Sequence, residues 1–163
     1  MDIVDVTEKK LSVDTITELV SDDTCGAVSL FIGTTRNNFD NKEVLRLEYE
    51  AYEPMAKKKM LEVCASIRQQ WQVHKIAMIH RIGVVPVKEA SIIIAISSAH
   101  RKESLDAVQY AINTVKAVVP VWKKEIYADD SSSWKQNKEC AWSEDCPATA
   151  SGPAGSSQGT ADD

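Results

Sequence analysis

The chain has 163 residues, enough for one domain that buries a real core. Its net charge of -5 excludes a general affinity for nucleic acid or acidic membranes, and Glu144, Asp145, Asp162 and Asp163 carry most of that excess, so the remainder is nearly neutral and has room for a local basic site. No apolar run approaches a membrane span and Met1 to Lys10 is too acidic for a signal or transit peptide, which makes a cytosolic protein the expectation.

In chain order, a polar lead-in precedes a short helix in which Val13, Ile16, Leu19 and Val20 share a face, with Ser12 or Asp14 as its cap. Gly26 to Thr34, GAVSLFIGT, is the first strand. It runs into a polar loop, Thr35 to Asn41, whose Arg36 is either a binding residue behind a buried strand or a plain surface residue. In Val44 to Tyr52, Leu45, Leu47, Tyr49 and Ala51 alternate with Arg46, Glu48 and Glu50, the pattern of a half-exposed strand. Pro54 suits the first turn of a long helix with a buried stripe of Met60, Val63, Cys64, Ile67 and Trp71. Lys57 to Lys59 near its start form a solvated face, since no aromatic or Gly-rich segment accompanies them to make a nucleic-acid site. Lys75 to Gly83 is a strand in which His80 is a hydrogen-bonded sheet histidine, and residues 83 to 89, with Pro86, are a connection.

The stretch from Ser91 to Tyr127 concentrates the chemistry. Ile92 to Ile96 is a buried strand, and after Ser97 and Ser98 a helix follows with Leu105, Val108, Ile112, Val115 and Val119 on one face. Pro120 stops it, and Val121 to Tyr127 alternates as a further strand. His100 and Arg101 stand at the strand-to-helix junction, where backbone N–H groups and the helix dipole favour an anion and the guanidinium fork suits a phosphate. Lys116 borders the apolar stripe, where a lysine held against apolar surface has a lowered pKa and serves as base or nucleophile. Cations near helix ends also simply solvate a face, so the case for a site comes from combining HR with the later lysines and WKKE.

Asp129 to Ser133 reads as a turn and SWKQNKECAW (Ser133 to Trp142) as a short edge segment with two tryptophans to pack. Residues 143 to 163 are small and acidic, without an apolar pattern, and predict a disordered tail behind a domain of residues 1 to 142. Cys25, Cys64, Cys140 and Cys146 form no CxxC pair and no histidine lies at a useful spacing from them, so free thiols are expected, with no metal and no cofactor. The alternation of strands and helices implies a single α+β domain with three helices and a mixed, largely antiparallel sheet.

Five motifs in this order, FIGTTRNN (Phe31 to Asn38), LEYEAYEPMA (Leu47 to Ala56), IHRIG (Ile79 to Gly83), SSAHR (Ser97 to Arg101) and VPVWKKE (Val119 to Glu125), resemble the large, catalytic subunits of molybdopterin synthases. The resemblance covers about Gly26 to Trp142. It implies an α/β hammerhead fold and a sulfurtransferase of molybdenum cofactor biosynthesis. The implied substrate is cyclic pyranopterin monophosphate, or precursor Z, and the sulfur donor is the thiocarboxylated C-terminal glycine of a small ubiquitin-like subunit. It further implies a homodimer at the centre of a heterotetramer. By motif, His100 and Arg101 correspond to substrate-anion contacts, Lys116 to the lysine beside the partner's C-terminus, Lys123, Lys124 and Glu125 to a second substrate-contact motif, and Arg36 to the arginine of the first loop. Lys116 and Lys123 are the implied catalytic residues. A non-catalytic module that binds a ubiquitin-like tail, or a phosphorylated ligand, would keep the HR pair without needing a lysine of perturbed pKa.

Overall fold

The structure is a computed structural model that describes residues 1–129 and 131–136. Cys140, Cys146, Trp142 and the expected tail lie outside the described residues.

The scaffold is a four-stranded sheet in the order β1 (Asp2–Thr7), β5 (Ile76–Arg81), β7 (Ala90–Ser98), β2 (Ala27–Thr34). Its pairs are antiparallel except β1 with β5, which is parallel. β7 is buried along nearly its whole length because both sheet faces are covered. Helices α2 (Glu53–Gln70) and α3 (Arg101–Val118) pack on one face, where Met60, Ile67, Met78, Ile94, Ile96 and Val115 share a core. The short α1 (Val13–Val20) covers the other face with Ile16 and Val20 against Ala77, Ile79, Ile93 and Ala95. Ser12 is its cap, accepting from the Thr15 N–H at 3.3 Å.

A second sheet runs β3 (Asn38–Phe39), β4 (Lys42–Ala51), β8 (Val121–Tyr127), β9 (Ser132–Gln136), with β6 (Gly83–Pro86) also paired to β4. All its pairs are antiparallel. It has a small core of its own, Val44, Leu47 and Tyr127. The α+β class, the three helices and the mixed, largely antiparallel pairing agree with the sequence reading.

Several local expectations change. The polar lead-in contains β1, whose Val4 and Val6 join the core under α2 although its pairing partner lies some 74 positions further along. Residues 83 to 86 are a strand, entered through Gly83 at φ +75°, a backbone region costly for any other residue. Leu45 is 46% exposed instead of joining Leu47, because the β4–β8 register shifts between Val44 and Arg46 and puts Val44 on the inner face. Leu105 is 55% exposed; the buried face of α3 is centred on Ser104, Ala107, Val108 and Ala111. These small residues let α3 lie close to the sheet, where the Ser104 and Ser29 hydroxyls meet at 2.8 Å. β9 begins at Ser132, inside the stretch read as a turn. No helix among the described residues is long and apolar enough to cross a membrane.

Candidate active site

A cleft of about 980 Å³ opens between the two sheets. Its floor is apolar, from Phe31 of β2, Ile92 of β7, Leu47 of β4 and Ile112 and Val115 of α3. Its charged lining comes from four separate segments: Arg36 on the loop after β2, Lys116 on the last turn of α3, Lys123 and Glu125 on β8, and Lys135 on β9. A helix C-terminus favours a cation, so Lys116 stands where the α3 dipole supports it.

Lys123 and Glu125 are two apart on one strand, and so face the same side of the sheet. Lys123 Nζ stands 3.9 Å from Glu125 Oε1, while Glu125 Oε2 accepts from the Tyr127 hydroxyl at 2.5 Å and lies 2.9 Å from Lys135 Nζ. Glu125 is only 3% exposed. Burial pushes its carboxyl up, yet the Tyr127 hydrogen bond and the charges of Lys135 and Lys123 outweigh that and hold it below the usual carboxylate range. Lys123 moves down from the ordinary lysine value, first by burial; Glu125 opposes this, and the charges of Lys135, Lys116 and Arg36 reinforce it. A lysine with an accessible neutral amine is a proton-transfer group.

Two further groups line the cleft. His80 is a buried sheet histidine, as expected, with Nδ1 2.7 Å from the Arg81 carbonyl oxygen, which makes Nδ1 the protonated nitrogen. Burial lowers its pKa to about 4, so it is neutral at physiological pH. Tyr49 packs edge-on against it with ring centroids 5.2 Å apart, and burial raises the phenol. Among the described residues, no group of three or more His, Cys, Asp or Glu side chains is placed to hold a metal ion. Cys25 and Cys64 are free, and burial pushes the Cys64 thiol up to about 12, which makes it inert.

Of the residues singled out by sequence, Arg36, Lys116, Lys123 and Glu125 meet in the cleft. Lys116 is exposed where it lines the cleft beside Ile112 and Val115, and Lys123 is more buried. Lys124 alternates to the opposite face of β8, where its ammonium lies 5.5 Å from the Trp134 ring centroid, so the middle lysine of WKKE is outside the cleft. His100 and Arg101 are exposed at the start of α3 and do not line the cleft either. Fifteen helical positions separate Arg101 from Lys116, about 22 Å along the axis. Sequence reasoning missed Lys135, Tyr49 and Tyr127. Lys135 was within reach of it, because β8 and β9 are successive strands whose antiparallel register sets that residue opposite Lys123.

The fold is an α+β protein with a charged cleft between two sheets, and residues 6–118 match the family model described as "MoaE protein". The chain belongs to the MoaE family. It is 61% identical over 141 residues to the human molybdopterin synthase catalytic subunit, covering 86% of this chain and 74% of that one. Molybdopterin synthase from Staphylococcus aureus superposes with a TM-score of 0.76 at 35% identity, covering 80% of this chain and 94% of that one. The fold also recurs in a protein–protein complex of subunits 1 and 2 of the molybdopterin-converting factor from Helicobacter pylori, with a TM-score of 0.69 at 19% identity over 84% of this chain and 92% of that one.

Proposed function

We infer that this chain is a catalytic, sulfur-transferring subunit in molybdopterin synthesis, and propose that the cleft between its sheets is where the transfer occurs. The observation that carries this reading is Lys123, a lysine of lowered pKa held beside Arg36, Lys116 and the buried Glu125. Precursor Z is an anion, and Arg36 and the lysines answer its phosphate. Opening its cyclic phosphate and adding a thiocarboxylate sulfur build up negative charge, which fixed cations stabilise. Lys116, exposed where it lines the cleft, is placed to meet the thiocarboxylated C-terminus of a small ubiquitin-like subunit, and Lys123 moves the proton. Sulfur arrives on the partner, so the inert Cys64 has no part in the chemistry. The two-subunit complex from Helicobacter pylori supports a partner of this kind.

The position of His100 and Arg101 outside the cleft supports a role for them across a dimer. About 22 Å of helix axis separates the positions of Arg101 and Lys116, and His100 and Arg101 are exposed outside the cleft. In a homodimer, the pair serves the cleft of the second copy. A cytosolic setting goes with this reading, as does assignment of catalysis to residues 1 to 142.

The test is reconstitution from purified chain, thiocarboxylated partner and precursor Z, followed by mass spectrometry. Molybdopterin is expected. Binding of both ligands without product would make the chain a non-catalytic module. The dimer assignment is tested by mixing Lys116→Ala and Arg101→Ala chains, each impaired alone. Mixed dimers hold one intact cleft and recover activity, whereas no recovery would return the HR pair to its own chain.

A further inference from the structure

We propose that Lys135, on the edge strand β9, is a positioning residue for the reaction: it draws the Glu125 carboxylate away from Lys123 and leaves the Lys123 amine available for proton transfer. The inference rests on the proton-transfer role given to Lys123 above, but its first test does not.

The sheet register places Lys135 directly opposite Lys123. Like charges in that arrangement destabilise a strand pair. An edge-strand lysine ordinarily extends into water, where it guards the edge against further pairing. Lys135 instead turns inward. Its Nζ is buried, 2.9 Å from the centroid of the Phe39 ring and 2.9 Å from Glu125 Oε2. The contact with Glu125 lacks the alignment of a good hydrogen bond, so charge and the ring face hold the ammonium in place.

The consequence falls on Glu125. One carboxylate oxygen is taken by both Tyr127 and Lys135, and the other comes no nearer to Lys123 than 3.9 Å. A carboxylate bound in this way still favours the Lys123 ammonium, but from 3.9 Å and shared with Lys135 it does not overcome burial. The remaining charges facing that amine come from Lys116 on α3 and Arg36 on the loop after β2, and both act in the same direction as Lys135. Tyr49, directly across on β4, and His80 behind it face the cleft as neutral groups, and Asp40 lines the same cleft. Lys135 is therefore the cation that both occupies the counterion and repels the proton.

The experiment is trace acetylation of the intact chain across a range of pH, without substrate or partner, read by mass spectrometry of the peptide carrying Lys123. Acetic anhydride reacts with the neutral amine, so the midpoint of labelling follows the lysine's titration. In Lys135→Gln the Lys123 midpoint moves up by about one pH unit or more, because Glu125 is released toward it and a like charge is gone. Lys135→Arg leaves the midpoint in place, and Lys58, exposed on α2, is labelled alike in every variant. In the reconstituted synthase, the pH limb set by Lys123 moves upward by the same amount in Lys135→Gln. Lys135→Met keeps an unbranched apolar side chain of similar length beside Phe39 and serves if Lys135→Gln does not fold. An unmoved Lys123 midpoint in the folded variant overturns the proposal. A loss of turnover equal at all pH values, with the midpoint unchanged, also overturns it and makes Lys135 a structural residue. A moved midpoint with no matching change in the pH–rate profile supports the electrostatic part and instead sinks the role of Lys123.

Discussion

The two sheets of this molecule are built to opposite ends. In the four-stranded sheet, β5 and β7 are almost continuously apolar and are covered on both faces, by α2 and α3 on one side and α1 on the other. In the sheet around β4 and β8, polar and apolar residues alternate, and the inner face carries Lys123, Glu125 and Lys135 instead of a continuous core. A fully covered sheet cannot hold charges without steep desolvation. A sheet covered on one side only has room for them, at the expense of packing. Stability is thus concentrated in one sheet and most of the charged chemistry in the other, with α3 linking the two.

That division is most directly broken by exchanging effects between the sheets. Lys123→Ala should lower molybdopterin formation by at least about a hundredfold, the scale of a lost acid–base group, with little change in melting temperature. Lys116→Ala should likewise nearly abolish it while leaving the fold intact. Turnover assays beside thermal melts decide the matter, and normal turnover in a folded variant would remove that lysine from the chemistry. On the scaffold side, Ile94→Ala empties a fully buried position in the main core. It should cost about 2–5 kcal/mol in urea unfolding while turnover per folded molecule is kept. A large loss of turnover in the fraction still folded would show that the sheets are not separable in this way.

His80 tests the boundary, since it belongs to the scaffold strand β5 yet lines the cleft. Its folded pKa of about 4 lies below the ordinary 6.5. Between those values the unfolded chain takes up a proton that the folded chain refuses. This group therefore reduces stability as pH falls through that window, by roughly 3 kcal/mol in full, and adds no slope above it. Urea titrations at several pH values should show that slope in the native protein and a shallower one in His80→Gln. An identical slope in the variant would mean that other groups dominate the acid limb. The smallest effect is expected from truncation after Trp142, because the named cleft residues all precede that point. Turnover and melting temperature should barely move, and faster partner association at low salt would indicate that the acidic segment had been shielding the cations. Unfolding or loss of activity would show that residues 143 to 163 belong to the domain.

Where local periodicity was strong, the elements could be read directly. Pro54 marks the start of α2, the run Ile92 to Ile96 is a doubly covered strand, and Met60, Val63, Cys64 and Ile67 are the stripe that α2 buries. Local sequence offered Arg36, Lys116 and Lys123 as candidates, and the resemblance of VPVWKKE added Glu125. Other features depended on partners far away in the chain. A strand such as β1 is held by pairing with β5, and nothing in DIVDVT announces that partner. Leu45 and Leu105 have the spacing of core residues, but a register shift turns one outward, and the close approach of Ser104, Ala107 and Ala111 to the sheet leaves the other in water. Spacing tells which side chains share a face, and only packing decides which face is covered. The same holds for charge. Alternation separates Lys123 from Lys124 in the sequence, but the tertiary arrangement chose which of them enters the cleft, set Lys135 opposite it and left His100 and Arg101 a helix length away, because those placements follow from long-range pairing that no local pattern encodes.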